Sequence, residues 1–212
     1  MLITKGREMK EFWNERYSSD EFAYGEEPNE YFKEQLSKLK PGRILLPADG
    51  EGRNAVFAAR QGWEVESFDI SSEGKRKADL LAEKYELSIN YQVGGLEDLT
   101  YKPASFDAIG LIFTHFNPKI RAKYHKELIT LLKPGGIIIS ESFSEKHIDY
   151  NTANPKVGGP KDVSFLTSLD QIKEEFDGIE IIELYSSEAV LNEGNFHVGK
   201  GDVIRFLGRK NA

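Results

Sequence analysis

The segment from residue 42 to residue 71 restricts the fold of this chain more than any other. It contains a short apolar run, Ile44 to Leu46, with the length and branching of a buried strand, and a glycine-bearing turn follows. A helix-compatible stretch, Arg53 to Arg60, comes next, and a second predicted strand, Glu64 to Phe68, ends at Asp69. A strand, a tight turn, a helix and a second strand that ends at a carboxylate form the arrangement by which α/β proteins bind a nucleoside.

The turn after the first strand has the sequence ADGEGRN and lacks the full G-x-G-x-x-G pattern of dinucleotide-binding proteins. Its glycines let the backbone approach a ligand without a Cβ in the way. The carboxylate of Asp69, 19 residues after Gly50, could accept hydrogen bonds from both ribose hydroxyls. The alternative is that the glycines only turn the chain from a strand into a helix.

Length and composition limit the class of protein. A chain of 212 residues suits one large α/β domain. The net charge of −7 argues against a nucleic-acid partner, which needs clustered Lys and Arg. Cysteine is absent, which excludes disulfides and thiolate metal sites, and no metal is expected. We find neither a signal-peptide core nor an apolar run of membrane length, so the expected location is cytoplasmic, with no membrane partner.

The rest of the chain continues the alternation of strands and helices. Three more strands are predicted at 89–93, 106–113 and 137–142, and two hairpin strands at 179–184 and 203–207. Helices are predicted at 8–17, 28–39, 71–85, 118–132 and 168–176, with Pro28 inside the first turn of the second helix and Asn117 as a cap. The run Lys75 to Lys77 is interpreted as a solvated face. Residues 143–166 are predicted to form a long loop, which in a compact domain is usually functional or disordered.

Six motifs carry a resemblance to a known family: FWNERY with FAYGEEPN, ADGEGRN, FDIS, LLKPGG, GGPKD, and EGNFHVGKGDVIRF. Together they resemble class I S-adenosylmethionine-dependent methyltransferases, and within that family the small-molecule branch that includes tellurite-resistance and thiopurine methyltransferases. The resemblance covers nearly the whole chain. It implies an α/β fold, a Rossmann-like doubly wound seven-stranded sheet of order 3-2-1-4-5-7-6 with strand 7 antiparallel and helices on both faces. It also implies one domain, 1–212, with a helical lid (1–40), a cofactor-binding core (41–143) and a substrate loop with a C-terminal hairpin (144–212).

The resemblance implies that S-adenosylmethionine is the cofactor and assigns its contacts. The turn residues Ala48, Asp49, Gly50 and Gly52 would contact its amino-acid end, and Asp69 would bind the ribose. Further predicted cofactor contacts are Ile70 and Leu96 with Glu97 at the adenine, Phe113 below the methyl-bearing sulfur, and Trp13 and Tyr17 in the lid. For the two aromatic residues of the lid, packing in the core is the alternative.

This sequence departs from the family at two positions. The first glycine of the family's turn is Ala48 here, which a turn with negative φ would tolerate. The position that follows Gly94 is often Asp in the family and is Gly95 here. Adenine recognition would then rely on backbone groups, on Glu97 or on Asp98, of which we favour Glu97.

Methyl transfer from a sulfonium is an in-line displacement, so the protein must align donor and nucleophile and exclude water. His115 follows the fourth strand at the sheet edge where α/β ligands bind, and it is the catalytic candidate. A histidine that packs at a helix start is the alternative. Predicted substrate-binding residues are Tyr24, near the methionine end of the donor, Tyr150 in the long loop, and His197 in a glycine-flanked loop.

The predicted reaction is therefore methyl transfer to a small-molecule acceptor with a soft or anionic nucleophile, such as a thiol or a metalloid oxyanion. The chain is expected to be a monomer or a weak dimer. Three alternatives remain open at this point, and one of them is a nucleic-acid methyltransferase, against which the acidic balance of the chain counts. A nicotinamide-dependent oxidoreductase would show a fuller dinucleotide fingerprint and often Tyr-x-x-x-Lys, a pair that this sequence lacks. A non-catalytic S-adenosylmethionine-binding protein would bind the nucleoside without methylating any acceptor.

Overall fold

The seven strands form one sheet of order β3-β2-β1-β4-β5-β7-β6, as predicted. The computed structural model describes the backbone of residues 2–211 and the side chains of residues 7–211, so the predicted domain limits 1 and 212 lie outside it. Strands β1 to β5 are parallel, and β7 runs antiparallel to both β5 and β6. The strands span Arg43–Pro47, Glu64–Asp69, Asn90–Val93, Phe106–Ile112, Leu132–Phe143, Ile179–Glu193 and His197–Lys210. The helices, α1 to α7, span Leu2–Tyr17, Glu30–Leu36, Arg53–Arg60, Ser72–Lys84, Pro118–Leu131, His147–Ala153 and Leu169–Glu175.

The hydrophobic core lies on both faces of this sheet. On one face, α5 and α7 bury Leu128, Ile172 and Phe176 against the central strands. On the other face, α2 and α3 bury Phe32 and Phe57. The continuous apolar run of β4 fits this two-sided burial.

Strand β1 pairs with β2 on one side and β4 on the other, so the strand order reverses at β1. Such a reversal opens a crevice at the carboxyl ends of the strands, which is where open α/β sheets bind ligands. The β1–α3–β2 unit predicted from the sequence therefore lies at the switch point of the sheet.

Several predicted elements differ from the structure. Helix α1 begins at Leu2 rather than at residue 8, and β5 begins at Leu132 rather than at residue 137. Helix α2 begins at Glu30 with Asn29 as its cap, so Pro28 lies before the helix and not inside its first turn. The predicted loop 143–166 contains α6 and two short 3-10 turns. Strands β6 and β7 are far longer than 179–184 and 203–207, because polar residues and glycines interrupt the apolar signal in the paired segments outside those ranges.

The interpretation of Lys75 to Lys77 as a solvated face is wrong for one residue. Lys77 is 1% exposed, and its Nζ lies 2.8 Å from Oε1 of the equally buried Glu51. Lys77 lies on the buried face of α4 with Ala78 and Leu81. In the sequence, the charged residues next to Lys77 make this part of the helix look exposed. No helix in the described part of the chain is long and apolar enough to cross a membrane.

Candidate active site

The turn between β1 and α3 is built from residues in the left-handed region. Ala48, Gly50 and Gly52 have φ of 51°, 59° and 80°. The prediction that Ala48 has negative φ is therefore wrong. A left-handed conformation costs an ordinary L-residue roughly 1–2 kcal/mol, so Ala48 holds local strain at the centre of the candidate site.

Asp69 ends β2 directly beside this turn. Its Oδ2 accepts a hydrogen bond of 3.1 Å from the Gly50 N–H, and its Oδ1 accepts one of 2.8 Å from the Ser71 N–H. Burial raises the pKa of this carboxyl to about 6, against the opposing effect of the backbone hydrogen bonds. A hydrogen bond thus links the turn glycine Gly50 directly to the carboxylate that ends β2.

Asp49 is a second shielded carboxyl in the turn. Its Oδ2 accepts hydrogen bonds of 3.3 Å from the Ala55 N–H and from the Ser67 hydroxyl. Burial raises its pKa to about 8. Within residues 7–211 neither Asp49 nor Asp69 forms an ion pair with a cation. Two shielded carboxyls beside a glycine turn at the switch point fit a nucleoside ligand that carries positive charge.

Helix α1 covers the turn. Oδ1 of Asn14 accepts hydrogen bonds from the Ser71 hydroxyl at 2.7 Å and from the Glu73 N–H at 3.3 Å. Tyr17 is buried so close to the turn that a Cβ on Gly50 would lie 2.6 Å from its hydroxyl oxygen. The region predicted as a lid therefore contacts both the turn and the start of α4.

The loop that follows α1 is held down by charged groups of the turn. Glu51 accepts hydrogen bonds from the Ala23 N–H at 3.0 Å and the Tyr24 N–H at 3.3 Å, while it pairs with Lys77. The Arg53 guanidinium donates to the Tyr24 carbonyl at 3.2 Å. Residues of the β1–α3 turn thus fix the backbone position of Tyr24.

Seven aromatic side chains form a closed circuit of ring contacts, which we call the aromatic cluster. Successive ring centroids around the circuit lie 4.5 to 6.5 Å apart. Helix α1, the loop after it, and the carboxyl ends of β4 and β5 contribute members, together with the first residue of β7. The members are Trp13, Tyr17, Tyr24, Phe113, His115, Phe143 and His197.

Phe113, at the end of β4, has a φ of 50°, which is rare for an aromatic residue. Its N–H donates to the Glu141 carbonyl at 2.8 Å, so the pairing with β5 continues into the strained residue. Its ring stacks on Phe143 at 4.5 Å and meets His197 edge-on at 4.8 Å. Backbone strain of this kind is typical of functional sites.

His115 is stacked between Trp13 and Phe143, with ring centroids 6.2 and 6.3 Å away. Among residues 7–211 no group forms a hydrogen bond with its ring. Burial lowers its pKa to about 3, with a further contribution from His197 and His147. The imidazole is neutral at physiological pH and offers a nitrogen lone pair.

His197 differs from His115 because a carboxylate orients it. Its Nδ1 lies 2.8 Å from Oε2 of Glu193, which also accepts a hydrogen bond of 2.9 Å from Arg53. Arg53 and His197 hold the pKa of Glu193 at about 2 despite its burial. Nδ1 therefore carries the proton, and Nε2 is left as an acceptor that no described residue engages. Burial lowers the pKa of His197.

Four important residues were not identified from the sequence. Phe143 belongs to the aromatic cluster, Glu193 orients His197, and Glu51 and Arg53 hold the loop of Tyr24. A signal existed for Glu193, since it precedes His197 by four residues across the glycine of a hairpin turn. His147 is also buried, but a hydrogen bond to the Gly158 carbonyl and one from the Asp202 N–H satisfy both of its nitrogens.

The other predicted site residues lie outside the aromatic cluster. Leu96 is buried in the core. Glu97 is exposed and accepts a hydrogen bond from the Tyr124 hydroxyl. Ile70 is half-buried just after Asp69. Tyr150 lies on α6 and its hydroxyl donates to Glu188 at 3.2 Å.

Comparison with known proteins finds a matching family model and relatives for this chain. The family model described as "Methyltransferase domain" matches residues 44–136, which include the β1–α3 turn, β2 and β4. A ubiquinone/menaquinone biosynthesis C-methyltransferase, UbiE, of Geotalea daltonii is 29% identical over 186 residues, covering 75% of this chain and 78% of that protein. A thiopurine S-methyltransferase of Vibrio cholerae is 22% identical over 200 residues, covering 85% and 86%.

The fold itself is shared with solved structures. One, described as "Conversion of a Disulfide Bond into a Thioacetal Group during Echinomycin Biosynthesis", superposes with a TM-score of 0.75 at 18% identity. The superposition covers 95% of this chain and 93% of the chain in that structure. Nearly the whole fold therefore has a structural counterpart.

Proposed function

We propose that this chain, a class I S-adenosylmethionine-dependent methyltransferase, methylates a small molecule at a soft or anionic nucleophile, such as a thiol or a metalloid oxyanion. The donor would lie across the β1–α3 turn, with its ribose hydroxyls at Asp69 and its cationic end near Asp49. These residues fit that ligand because their carboxyls lack cationic partners within the described chain. When bound, the donor supplies an electrophilic methyl group on a sulfonium.

The observation that carries the acceptor proposal is the aromatic cluster with its two neutral histidines. An apolar, shielded wall disfavours a strongly hydrated nucleophile and suits a polarisable one, such as sulfur. The descriptions of two similar proteins name sulfur chemistry. One is a thiopurine S-methyltransferase, and one structure concerns conversion of a disulfide into a thioacetal. UbiE is named as a C-methyltransferase, so relatedness alone does not select the nucleophile.

A thiol arrives protonated at neutral pH, and the transfer therefore needs a proton acceptor. We assign this role to Nε2 of His197, because Glu193 fixes its tautomer and stabilises the imidazolium that forms. His115 would orient the acceptor as a neutral hydrogen-bond acceptor within the stack. The acceptor sulfur bonds to the methyl carbon as the bond from that carbon to the sulfonium breaks. The electron pair stays on the donor sulfur and the thiol proton moves to His197.

A methyl-transfer assay with purified protein tests the acceptor class. We expect transfer from S-adenosylmethionine to benzyl mercaptan or to tellurite, and slower transfer or none to the matched benzyl alcohol. Transfer only to carbon or oxygen acceptors, or donor binding without any transfer across the panel, would overturn the proposal.

The assignment of the proton acceptor has a separate test. His197→Gln should lower the rate with benzyl mercaptan at pH 7, and the deficit should shrink at pH 9 as the thiol ionises in solution. His115→Gln should instead raise KM at both pH values. A deficit of the His197 variant that is the same at both pH values would leave this histidine with a structural role only.

A further inference from the structure

Arg16 is a cation at the edge of the aromatic cluster that the reaction described above does not use. It lies on α1 between Trp13 and Tyr17. The central carbon of its guanidinium lies 3.9 Å from the ring centre of Phe196 and 5.3 Å from that of Phe12. Its Nη1 donates a hydrogen bond of 3.1 Å to the Tyr24 hydroxyl.

The charge of Arg16 has no carboxylate partner within residues 7–211. Five arginines in that range are buried or half-buried, and the other four all form ion pairs with glutamates. Those four are Arg43, Arg53, Arg121 and Arg205. A shielded guanidinium without a counter-ion is unusual in this protein, and it retains four N–H donors that no described residue accepts.

Arg16 is also close to the proposed reaction centre. The Tyr24 ring that it contacts lies 4.5 Å from the ring of His197. Burial lowers the pKa of His197, and the positive charge of Arg16 adds to this shift. A group bound by Arg16 would therefore belong to a molecule that also reaches the aromatic cluster.

We propose that Arg16 binds a carboxylate carried by the methyl acceptor, at the edge of the aromatic cluster and away from the nucleophilic atom. A planar guanidinium matches a carboxylate with two parallel hydrogen bonds, and the flanking Phe rings keep the fork in place. The acceptor is then an apolar or aromatic thiol with an acidic group at its other end. This inference rests on the proposed function, because it specifies the molecule that the same site methylates.

A different role for Arg16 is to hold α1 against the hairpin turn through its two cation–π contacts. The two roles predict different kinetics. A group that only holds α1 acts on all acceptors alike, whereas a carboxylate-binding group acts on acidic acceptors alone.

The test compares thiophenol with 4-mercaptobenzoate, which differ by one carboxylate. With the unmodified protein, we expect a lower KM for 4-mercaptobenzoate. Arg16→Met should raise that KM at least tenfold, leave the KM for thiophenol within twofold, and change kcat little. Arg16→Lys keeps the positive charge but not the two parallel N–H donors of the guanidinium, so its KM for 4-mercaptobenzoate should lie between those of the unmodified protein and Arg16→Met. Arg60→Met is the matched control. Arg60 is the last residue of α3, its guanidinium lies over the ring of Tyr85, and it forms no ion pair with any described residue.

An equal rise of both KM values in Arg16→Met, or no rise in either, would overturn the proposal. A binding experiment separates its failure from failure of the proposed function. Benzoate and benzamide are titrated calorimetrically into the protein with S-adenosylhomocysteine. Binding of benzoate that Arg16→Met abolishes supports the carboxylate site even if no thiol is methylated. Methylation of both thiols without benzoate binding overturns the site and leaves the proposed function intact.

Discussion

Nδ1 of His197 lies 2.8 Å from Oε2 of Glu193, four residues earlier and across the turn of the terminal hairpin. The carboxylate fixes which nitrogen of the imidazole carries the proton. Glu193→Gln keeps the size of the side chain but removes the charge and allows the wrong tautomer. We expect kcat with a thiol acceptor to fall about tenfold or more, in line with the usual contribution of general bases.

The control for this variant is Glu180→Gln on the same strand. Glu180 pairs with Arg209 on the surface, at the other end of the strand from Glu193. Its replacement should leave kcat unchanged. Because Glu193 also binds Arg53, donor affinity must be measured in parallel; a loss confined to donor affinity would contradict the orienting role of Glu193.

Donor affinity should depend on pH through Asp49. Burial raises the pKa of this carboxyl to about 8, so it is largely protonated at pH 6 to 7. A sulfonium and an ammonium nearby stabilise the carboxylate, and donor binding therefore releases a proton. Affinity should rise as pH increases toward 8, by at most about tenfold per pH unit, and level off above it.

Calorimetric titration with S-adenosylmethionine between pH 6 and pH 9 measures this dependence. Asp49→Asn should flatten the profile. Methylthioadenosine, which carries neither positive charge, should bind with little dependence on Asp49. A profile for S-adenosylmethionine that is equally flat in the unmodified protein would exclude proton release at this residue.

The buried ion pair of Glu51 and Lys77 should dominate local stability. Lys77→Met leaves a buried carboxylate without its cation, and we expect the free energy of unfolding to fall by about 3–5 kcal/mol. Lys75→Met, which removes a surface pair with Asp79, should change it by less than about 1 kcal/mol. Urea denaturation measures both.

A double variant completes this comparison. Glu51→Gln with Lys77→Met leaves no buried charge and should recover much of the lost stability. Equal costs for Lys77→Met and Lys75→Met would show that the pair is not effectively buried in solution.

Ala48→Gly should stabilise the protein despite removing a methyl group. The φ of 51° suits glycine, and release of the strain exceeds the added backbone entropy of the unfolded chain by up to about 1 kcal/mol. The melting temperature should rise by about 2–4 °C. Ala59→Gly, in the right-handed helix α3, is the opposite control and should lower it. A lower melting temperature for Ala48→Gly would mean that the turn does not hold this conformation.

The sequence predicted the β1–α3–β2 unit because this unit depends on local patterns: apolar runs, turn glycines and a terminal acid. The sheet order was predicted from the resemblance to the methyltransferase family. Prediction failed where structure depends on partners distant in the chain. The environment of Lys77 is set by Glu51, 26 residues away, and by the backbone carbonyl of Glu21 in the loop that follows α1. The lengths of β6 and β7 depend on cross-strand pairs that include polar residues and glycines, which interrupt the apolar signal.

The candidate site shows the same division. Asp69 and the turn glycines could be located by spacing, whereas the handedness of Ala48 could not be inferred from its type. The Glu193 and His197 pair was visible as two residues in one motif. That Glu193 orients His197 could be recognised only once the hairpin was known, because a glycine-flanked loop and a strand-to-strand turn have similar composition.

Asn14 binds the start of α4, two to four residues beyond Asp69, while Trp13 on the same helix stacks on His115. In the proposed binding mode, one helix therefore spans the ribose side and the acceptor side of the crevice. A movement of α1 that admits an acceptor would then also break the contacts beside the donor. Both products would then depart through one opening event, and the rate of that event sets an upper limit on turnover however fast the chemical step becomes.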